Sequence, residues 1–166
     1  MDRTPSARLI NDVHRLEDSL GAVPEPVATP VFIALSGLPG TGKSFVTRLL
    51  ARRLSLAILE SDALRKVLFP RPSYQGYENA QLFSAIHYLV AELLNKGISV
   101  VLDATNLTER DRRKLYIIAD KAGVKLILVS VKAPAKAVKV RLDTRSAHPV
   151  GYSDADWSVY QAMKPR

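Results

Sequence analysis

Short apolar runs alternate with longer helical patterns over most of the chain, and this alternation predicts its fold class. The apolar runs, each short enough for a buried strand, are residues 31–35, 56–59, 98–102 and 126–131. The helical patterns that separate and follow them are residues 43–54, 78–95, 109–122 and 134–146. Strands that alternate with helices of this length are typical of a parallel sheet flanked by helices on both faces. The pattern therefore predicts a three-layer α/β fold.

The first thirty residues have a different pattern. Apolar side chains recur on one helical face between residues 9 and 20, and Pro24, Pro26 and Pro30 then interrupt regular structure. We predict an amphipathic helix and a proline-rich linker over residues 1–30, and one folded domain over residues 31–166. The helix either packs on that domain or belongs to a neighbouring domain before residue 31.

The composition narrows the classes of function. The chain has 166 residues, a length that suits one domain, and its N-terminus lacks the apolar segment of a secretory signal. We therefore expect a cytoplasmic protein with no membrane span. There are no cysteines, and His14, His87 and His148 are too scattered to form a metal site, so any metal must be bound by oxygen ligands. His87, inside a helical pattern, is expected to be structural.

The charge of the chain favours anionic partners. The net charge is +8, and residues 108–148 alone contain eleven Lys and Arg against four acidic residues. A positive surface raises the local concentration of phosphates and polyanions, so ATP accounts for part of this charge and a nucleic acid for more. Most of these side chains are expected to form a solvated face.

One motif carries a specific chemistry. Residues 37–44 fit the pattern G-x-x-x-x-G-K-[ST], follow an apolar run and open a helix, which is the context the phosphate loop requires. The motif consists of Gly37, Leu38, Pro39, Gly40, Thr41, Gly42, Lys43 and Ser44. Backbone N–H groups of such a loop bind phosphate oxygens, the lysine reaches the β- and γ-phosphates, and the hydroxyl binds Mg²⁺. The motif predicts a P-loop NTPase fold that binds ATP and Mg²⁺.

Two aspartates follow predicted strands, at the edge where ligands bind in an open parallel sheet. Asp103 is placed to bind magnesium or its waters, with a turn or cap as the alternative. Asp62 is either a helix N-cap, a role that Ser61 could also fill, or the base that accepts the proton of an acceptor hydroxyl; we favour the base. Arg65, one helical turn later, either binds an acceptor phosphate or pairs with Asp62.

Two arginines and two tyrosines complete the set of candidate residues. Arg141 and Arg145 lie one turn apart before the loop at residues 146–151, where a mobile lid could bring them onto ATP and the transferring phosphoryl group. Arg145, closer to the loop, is the better candidate. Tyr74 and Tyr77 lie in a segment that contains Pro and Gly, where they either stack on a base of the acceptor or pack as ordinary tyrosines.

These motifs resemble a known family. The phosphate loop, Ser61-Asp62-x-x-Arg65, and Leu102 to Asn106 followed by Arg112 and Arg113 are similar to the AAA-type and zeta-toxin-like P-loop kinases, and most of all to the polynucleotide 5′-kinase domain. The resemblance implies a small helical lid. It also implies that Asp62 is the general base, that Arg65 contacts the 3′ phosphate of the acceptor, that Asp103 helps to bind acceptor or metal, and that Arg145 is the lid arginine.

Three functions follow, in decreasing order of support. The first is ATP-dependent phosphorylation of a nucleic-acid 5′-hydroxyl by a kinase domain over residues 31–166. The second keeps the chemistry but has a small acceptor, such as a sugar, an antibiotic or a nucleotide-sugar, because the same scaffold resembles gluconate, shikimate and chloramphenicol kinases. The third is an ATP-binding switch or motor that does not transfer phosphate to an acceptor.

Overall fold

A computed structural model describes residues 4–165, so residues 1–3 of the predicted N-terminal arm and Arg166 lie outside the described residues. The strands are β1 (Val31–Ser36), β2 (Ala57–Glu60), β3 (Val100–Asp103) and β4 (Lys125–Ser130). The helices are α1 (Ala7–Ser19), α2 (Lys43–Ala51), α3 (Ser61–Leu68), α4 (Gly76–Asn95), α5 (Glu109–Ala122), α6 (Ala135–Ala147) and α7 (Trp157–Met163).

The four strands form one parallel sheet in the order β2-β3-β1-β4. Each strand overlaps the apolar run that predicted it and is offset by one or two residues at its ends. β1 lies inside the sheet between β3 and β4, and the chain leaves it directly into the phosphate loop. The predicted α/β fold with a parallel sheet is therefore confirmed.

Helices cover both faces of the sheet because side chains along a strand point alternately to opposite faces. In β1, Phe32 and Ala34 belong to the core that the sheet forms with α1, α4 and α5. Ile33 and Leu35 instead pack in a second core, to which α2 contributes Val46 and other partly buried side chains. The sheet therefore has a helical layer on each side.

The predicted amphipathic helix near the N-terminus is α1, and it packs on the rest of the fold. Its side chains Val13 and Leu16 are buried in the same core as the sheet. Polar contacts add to this packing, since Gln81 Nε2 donates to Asp12 Oδ2 at 2.6 Å and Arg15 Nη2 donates to the carbonyl of Val67 at 2.7 Å. Helix α1 therefore packs on the domain that follows it, which is one of the two predicted alternatives. The domain boundary at residue 30 stays a prediction.

Helices α6 and α7 form a small unit beside the phosphate loop. Val138 and Leu142 of α6 and Tyr160 of α7 are buried together, with Leu38 of the loop packed against them. The ring of Trp157 stacks on that of Tyr160 with centroids 4.8 Å apart. Apolar contacts therefore hold this helical lid on the tip of the phosphate loop. None of the helices within residues 4–165 has the length and apolarity to cross a membrane.

Burial of His87 makes the stability of the fold depend on pH. Burial, and secondarily the charge of Lys114, lower the pKa of His87 from 6.5 to about 4, although Asp111 acts in the opposite direction. The unfolded chain therefore binds a proton near pH 6.5, whereas the folded chain resists protonation until about pH 4. Stability contributed by neutral His87 is present above pH 6.5 and is lost as the pH falls through this window, by roughly 3 kcal/mol at most.

We expect His87→Gln to flatten the fall in unfolding free energy between pH 6.5 and 4, because the neutral amide takes up no proton. Urea unfolding at several pH values measures this slope. His14→Gln is the matched control because His14 lies on an exposed position of α1. Equal slopes for wild type and His87→Gln would contradict the prediction.

Candidate active site

The phosphate loop connects the end of β1 to the start of α2, and close packing requires its first glycine. A Cβ atom on Gly37 would lie 2.5 Å from the carbonyl oxygen of Val131, so no larger residue fits there without a backbone shift. The Gly37 N–H donates to the carbonyl of Thr105 at 3.0 Å, which ties the loop to the segment after β3. Gly42, with φ 107°, is the N-cap of α2 and points the helix N-terminus into the loop.

Lys43 places its ammonium group inside this loop. Its Nζ donates to the carbonyls of Gly37 at 2.9 Å and Leu38 at 3.1 Å. Burial lowers the pKa of Lys43, while the charges of Asp103 and Asp62 oppose this effect. The partly desolvated cation and the N-terminus of α2 together make the loop a site for anions such as phosphate.

Ser44 and Asp103 form a hydrogen-bonded pair of oxygen groups next to Lys43. Ser44 Oγ donates to Asp103 Oδ2 at 2.7 Å, and Asp103 is 4% exposed. Asp103 does not cap the following helix, whose N-cap is Thr108. Burial raises the pKa of the Asp103 carboxyl, whereas the Ser44 hydrogen bond and the charge of Lys43 lower it.

The oxygen pair is suited to magnesium. Within residues 4–165 no three His, Asp or Glu side chains converge as a metal-binding group. A divalent ion beside Ser44 and Asp103 would therefore have to complete its shell with water and substrate phosphates. Mg²⁺ binds in this way, through one or two protein oxygens, several waters and phosphate groups.

Asp62 lies in the first turn of α3, directly after β2. The N-cap position of α3 is Glu60, which makes no side-chain capping bond, so neither Ser61 nor Asp62 caps the helix as one alternative had predicted. The charge of Asp62 acts on the pKa of Lys43, of Asp103 and of Tyr74. The carboxylate thus contributes to the electrostatics of all three groups.

Glu60 was not identified from the sequence. It ends β2 and is the register partner of Asp103 at the end of β3. Burial, and then the charges of Asp103 and Asp62, raise the pKa of Glu60. The signal in the sequence was a third acidic residue at a strand end, but it becomes meaningful only once β2 and β3 are known to be neighbours.

Arg65 is buried, with 6% of its surface exposed. Its Nη2 donates to Asn79 Oδ1 at 2.6 Å, its Nη1 lies 3.9 Å from a carboxylate oxygen of Glu78, and the Tyr74 ring centroid is 4.9 Å from Cζ. The predicted alternative in which Arg65 pairs with Asp62 is not observed. Nε and Nη1 have no hydrogen-bond partner among the described residues. Both atoms are buried, and Nη1 faces the carboxylate of Glu78, so the charge of Arg65 is already balanced within the protein.

The two lid arginines have different positions. Arg141 Nη1 lies over the phosphate loop, 3.3 Å from the carbonyls of both Gly40 and Thr41. Arg145 Nη2 donates to the carbonyl of Ala155 at 2.8 Å, in the loop that follows α6. Arg145 is also close enough to lower the pKa of Lys43. Arg141 thus contacts the phosphate loop, whereas Arg145, one helical turn later, contacts the loop that follows α6.

Asn106 links the segment after β3 to the end of β1, directly before the phosphate loop. Its φ of 43° is in the left-handed region, and it is 5% exposed. Asn106 Nδ2 donates to the carbonyl of Leu35 at 2.8 Å, while its own carbonyl accepts from Ser36 Oγ and from Arg112 Nη1, each at 3.1 Å. Strained residues of this kind are concentrated at functional sites. Arg112 is consequently tied to the backbone at the sheet edge.

Comparisons with known proteins agree with this geometry. The L-seryl-tRNA(Sec) kinase of Methanococcus maripaludis is 31% identical over 63% of this chain, which spans 42% of that relative's length. A structure of the Pnkp1/Rnl/Hen1 RNA repair complex superposes with a TM-score of 0.66 at 20% identity, covering 76% of this chain and 40% of the other. The Mycobacterium tuberculosis APS kinase CysC, with AMPPNP and APS, gives 0.59 at 21% identity, covering 83% and 84%.

A family model described as AAA domain matches residues 32–166. The match covers the sheet, the phosphate loop and both lid helices. The strands, the loop and the oxygen pair of Ser44 and Asp103 all lie inside it. The chain belongs to this AAA domain family and has the P-loop kinase-type fold.

Proposed function

We propose that this protein is an ATP- and Mg²⁺-dependent phosphotransferase that moves the γ-phosphate to an acceptor hydroxyl. The observation that carries the proposal is the arrangement of Lys43, Ser44, Asp103 and Asp62 at one edge of the sheet. An ammonium, a pair of oxygen ligands and a carboxylate beside a helix N-terminus are the groups that phosphoryl transfer requires.

The donor side is formed by the phosphate loop. Its N–H groups and the N-terminus of α2 bind phosphate oxygens, and Lys43 exchanges its contacts with the loop carbonyls for contacts with the β- and γ-phosphates. Ser44 and Asp103 would hold Mg²⁺, and the bound ion would neutralise charge on the phosphate oxygens. Arg141 and Arg145 add positive charge above the loop.

The acceptor side is formed by α3 and the segment after it. Asp62 accepts the proton of the acceptor hydroxyl as its oxygen forms a bond to the γ-phosphorus, and the bond between that phosphorus and the β,γ-bridging oxygen breaks to release ADP. Arg65, whose Nε and Nη1 have no hydrogen-bond partner within residues 4–165, contacts an anionic group of the same acceptor once its side chain moves from the carboxylate of Glu78. A buried guanidinium with free donors is best satisfied by a phosphate or carboxylate.

The acceptor that we favour is the 5′-hydroxyl of a nucleic acid. A nucleic acid carries a phosphate next to its terminal nucleoside, and a guanidinium such as that of Arg65 binds a phosphate well. The net charge of +8 favours a polyanion over a neutral sugar. The name of the Methanococcus relative also places its acceptor on an RNA. These observations support a nucleic-acid acceptor more than a small one.

The experiment is the transfer of labelled γ-phosphate to three acceptors at the same ATP and Mg²⁺ concentrations. These acceptors are a 5′-hydroxyl oligonucleotide, a 3′-phosphorylated mononucleoside and a panel of sugars and aminoglycosides. We expect the first two to be labelled and the panel to remain unlabelled. Labelling of the panel alone would favour a small acceptor, and ATP hydrolysis without labelling of any acceptor would favour a nucleotide switch.

A further inference from the structure

A loop in the helical lid is tied to the acceptor side of the site. This loop, residues 148–156, connects α6 to α7. Within it, Asp154 Oδ1 accepts from Lys66 Nζ of α3 at 3.0 Å, and Asp154 Oδ2 accepts a short hydrogen bond from the Tyr74 hydroxyl. We call these contacts of Lys66, Tyr74 and Asp154 the clasp. The clasp joins segments that are 80 or more residues apart in the chain.

Tyr74, the residue of the clasp on the acceptor side, is held in place by hydrogen bonds to Glu78. Glu78 accepts from the backbone N–H groups of Ser73 at 3.0 Å and Tyr74 at 2.9 Å, and Ser73 Oγ donates to it as well. These bonds hold Tyr74 at φ 57°, a conformation that residues other than glycine rarely adopt. The Tyr74 ring lies over the guanidinium of Arg65. The clasp thus begins at the proposed acceptor site.

The other end of the clasp leads to the phosphate loop. Ala155 follows Asp154 in the chain, and its carbonyl accepts from Arg145 Nη2 at 2.8 Å. Arg145 lies one helical turn after Arg141, whose Nη1 is 3.3 Å from the carbonyls of Gly40 and Thr41 in the phosphate loop. A continuous set of contacts therefore runs from α3, through Asp154 and Ala155, to the proposed lid arginine.

We infer that Asp154 is a positioning residue for Arg145. Held by Lys66 and Tyr74, it fixes the segment whose Ala155 carbonyl accepts from the Arg145 guanidinium, and it thereby orients that guanidinium. The inference rests on the proposed function, because the orientation of Arg145 matters only if a phosphoryl group is transferred beneath it. It also links the two sides of the reaction, since an acceptor that contacts Arg65 and Tyr74 stabilises the same clasp.

Loss of the clasp is expected to lower the rate of phosphoryl transfer more than it lowers the stability of the fold. The side chains of Lys66 and Asp154 are 35% and 50% exposed, and ion pairs this exposed contribute little to stability. Misplacing a group in the transition state by about 1 Å lowers a rate by about 10²-fold. Asp154→Asn keeps the size of the side chain but loses the charge that holds Lys66. We therefore expect a lower kcat, with the KM for ATP and the Tm nearly unchanged.

Asp143→Asn is the matched control. Asp143 also accepts from a lysine, Lys139 at 2.7 Å, and is 53% exposed, but its ion pair lies within α6 rather than between α3 and the lid loop. We expect its kcat to equal that of wild type. If Asp154→Asn leaves kcat at the wild-type value, or lowers kcat and Tm together as a general folding defect would, the inference is overturned.

A double-mutant cycle tests whether Asp154 acts through Arg145. If it does, Asp154→Asn should have almost no further effect on kcat in the Arg145→Lys background, because the positioned group is already altered. The charge swap of Lys66→Asp with Asp154→Lys should recover part of the rate that either substitution alone removes. Additive losses in the cycle would show that Asp154 acts independently of Arg145, against the inference.

A second readout needs no acceptor, so it separates this inference from the proposed function. Hydrogen exchange of residues 148–156 is measured with a non-hydrolysable ATP analogue and Mg²⁺. We expect faster exchange in Asp154→Asn and Lys66→Met than in wild type and Asp143→Asn. If exchange is faster in these two variants but the wild-type protein transfers no phosphate, the proposed function is refuted while the role of the clasp in holding the loop is supported. Wild-type exchange in Asp154→Asn would overturn the clasp whatever the activity.

Discussion

Lys43→Met is expected to abolish labelling of the acceptor, with a fall in kcat/KM of about 10³-fold or more. The reason is that Lys43 is the cation inside the phosphate loop, and methionine fills the same space without a charge for the β- and γ-phosphates. Loss of a single preorganised donor in other active sites lowers kcat by about 10²–10³-fold. Transfer of labelled phosphate under single-turnover conditions measures this loss.

The same substitution is expected to leave the fold intact or to stabilise it. Burial lowers the pKa of Lys43, which shows that the loop disfavours the charged form, so removing the charge removes a desolvation penalty. Thermal unfolding without nucleotide should therefore give a Tm at or above that of wild type. Lys139→Met is the control, because Lys139 is an exposed lysine of α6. Unchanged transfer by Lys43→Met would contradict the proposed function.

Asp62→Asn is expected to lower kcat by about 10²–10⁴-fold while MgATP still binds. The amide has the shape of the carboxylate but cannot accept the proton of the acceptor hydroxyl, and general-base catalysis contributes an effect of this size. Removing the charge of Asp62 also removes one cause of the raised pKa of Glu60 and of Asp103, so both pKa values should fall. Nucleotide binding is measured by calorimetry and transfer by single-turnover labelling.

Two outcomes separate a base from a residue that only supports the site. If Asp62 is the base, Asp62→Asn binds MgATP as wild type does and loses only the transfer step, whereas Asp143→Asn retains both. If Asp62→Asn loses nucleotide affinity and transfer in parallel, the aspartate instead maintains the electrostatics around Lys43, and its role as a base is refuted. Retained transfer with retained binding would refute both roles.

The fold follows from local signals to a large extent. The four apolar runs predicted β1 to β4, and the phosphate-loop motif located the start of α2 at Lys43. An apolar strand and a glycine-rich turn each consist of consecutive residues, so both can be recognised in the sequence without a structure. The same is true of Asp62 and Asp103, because a position just after a strand is a local property.

The side-chain partners at the site were much less predictable. Arg65 could pair with Asp62 as far as helical spacing shows, yet it is buried against Asn79 and Glu78 because α4 packs on α3. Glu60 could not be identified as a neighbour of Asp103 until the order of β2 and β3 was known. A choice between partners of similar chemistry depends on which elements pack together, and local spacing carries no information on that choice.

The helices, the strands and the loop that brings Lys43 and Ser44 to a helix N-terminus could be predicted, since each depends on residues that are close in the chain; the alternation of strands with helices then indicated a parallel sheet. The folded structure was needed to show that Ser44 bonds to Asp103, that Asn106 joins the segment after β3 to β1, and that Asp154 connects Lys66 and Tyr74 to the lid. These contacts join residues 59 to 88 positions apart. Such contacts form only where the packing of the core brings distant segments together, so the physical reason lies in the burial of the sheet and its helices.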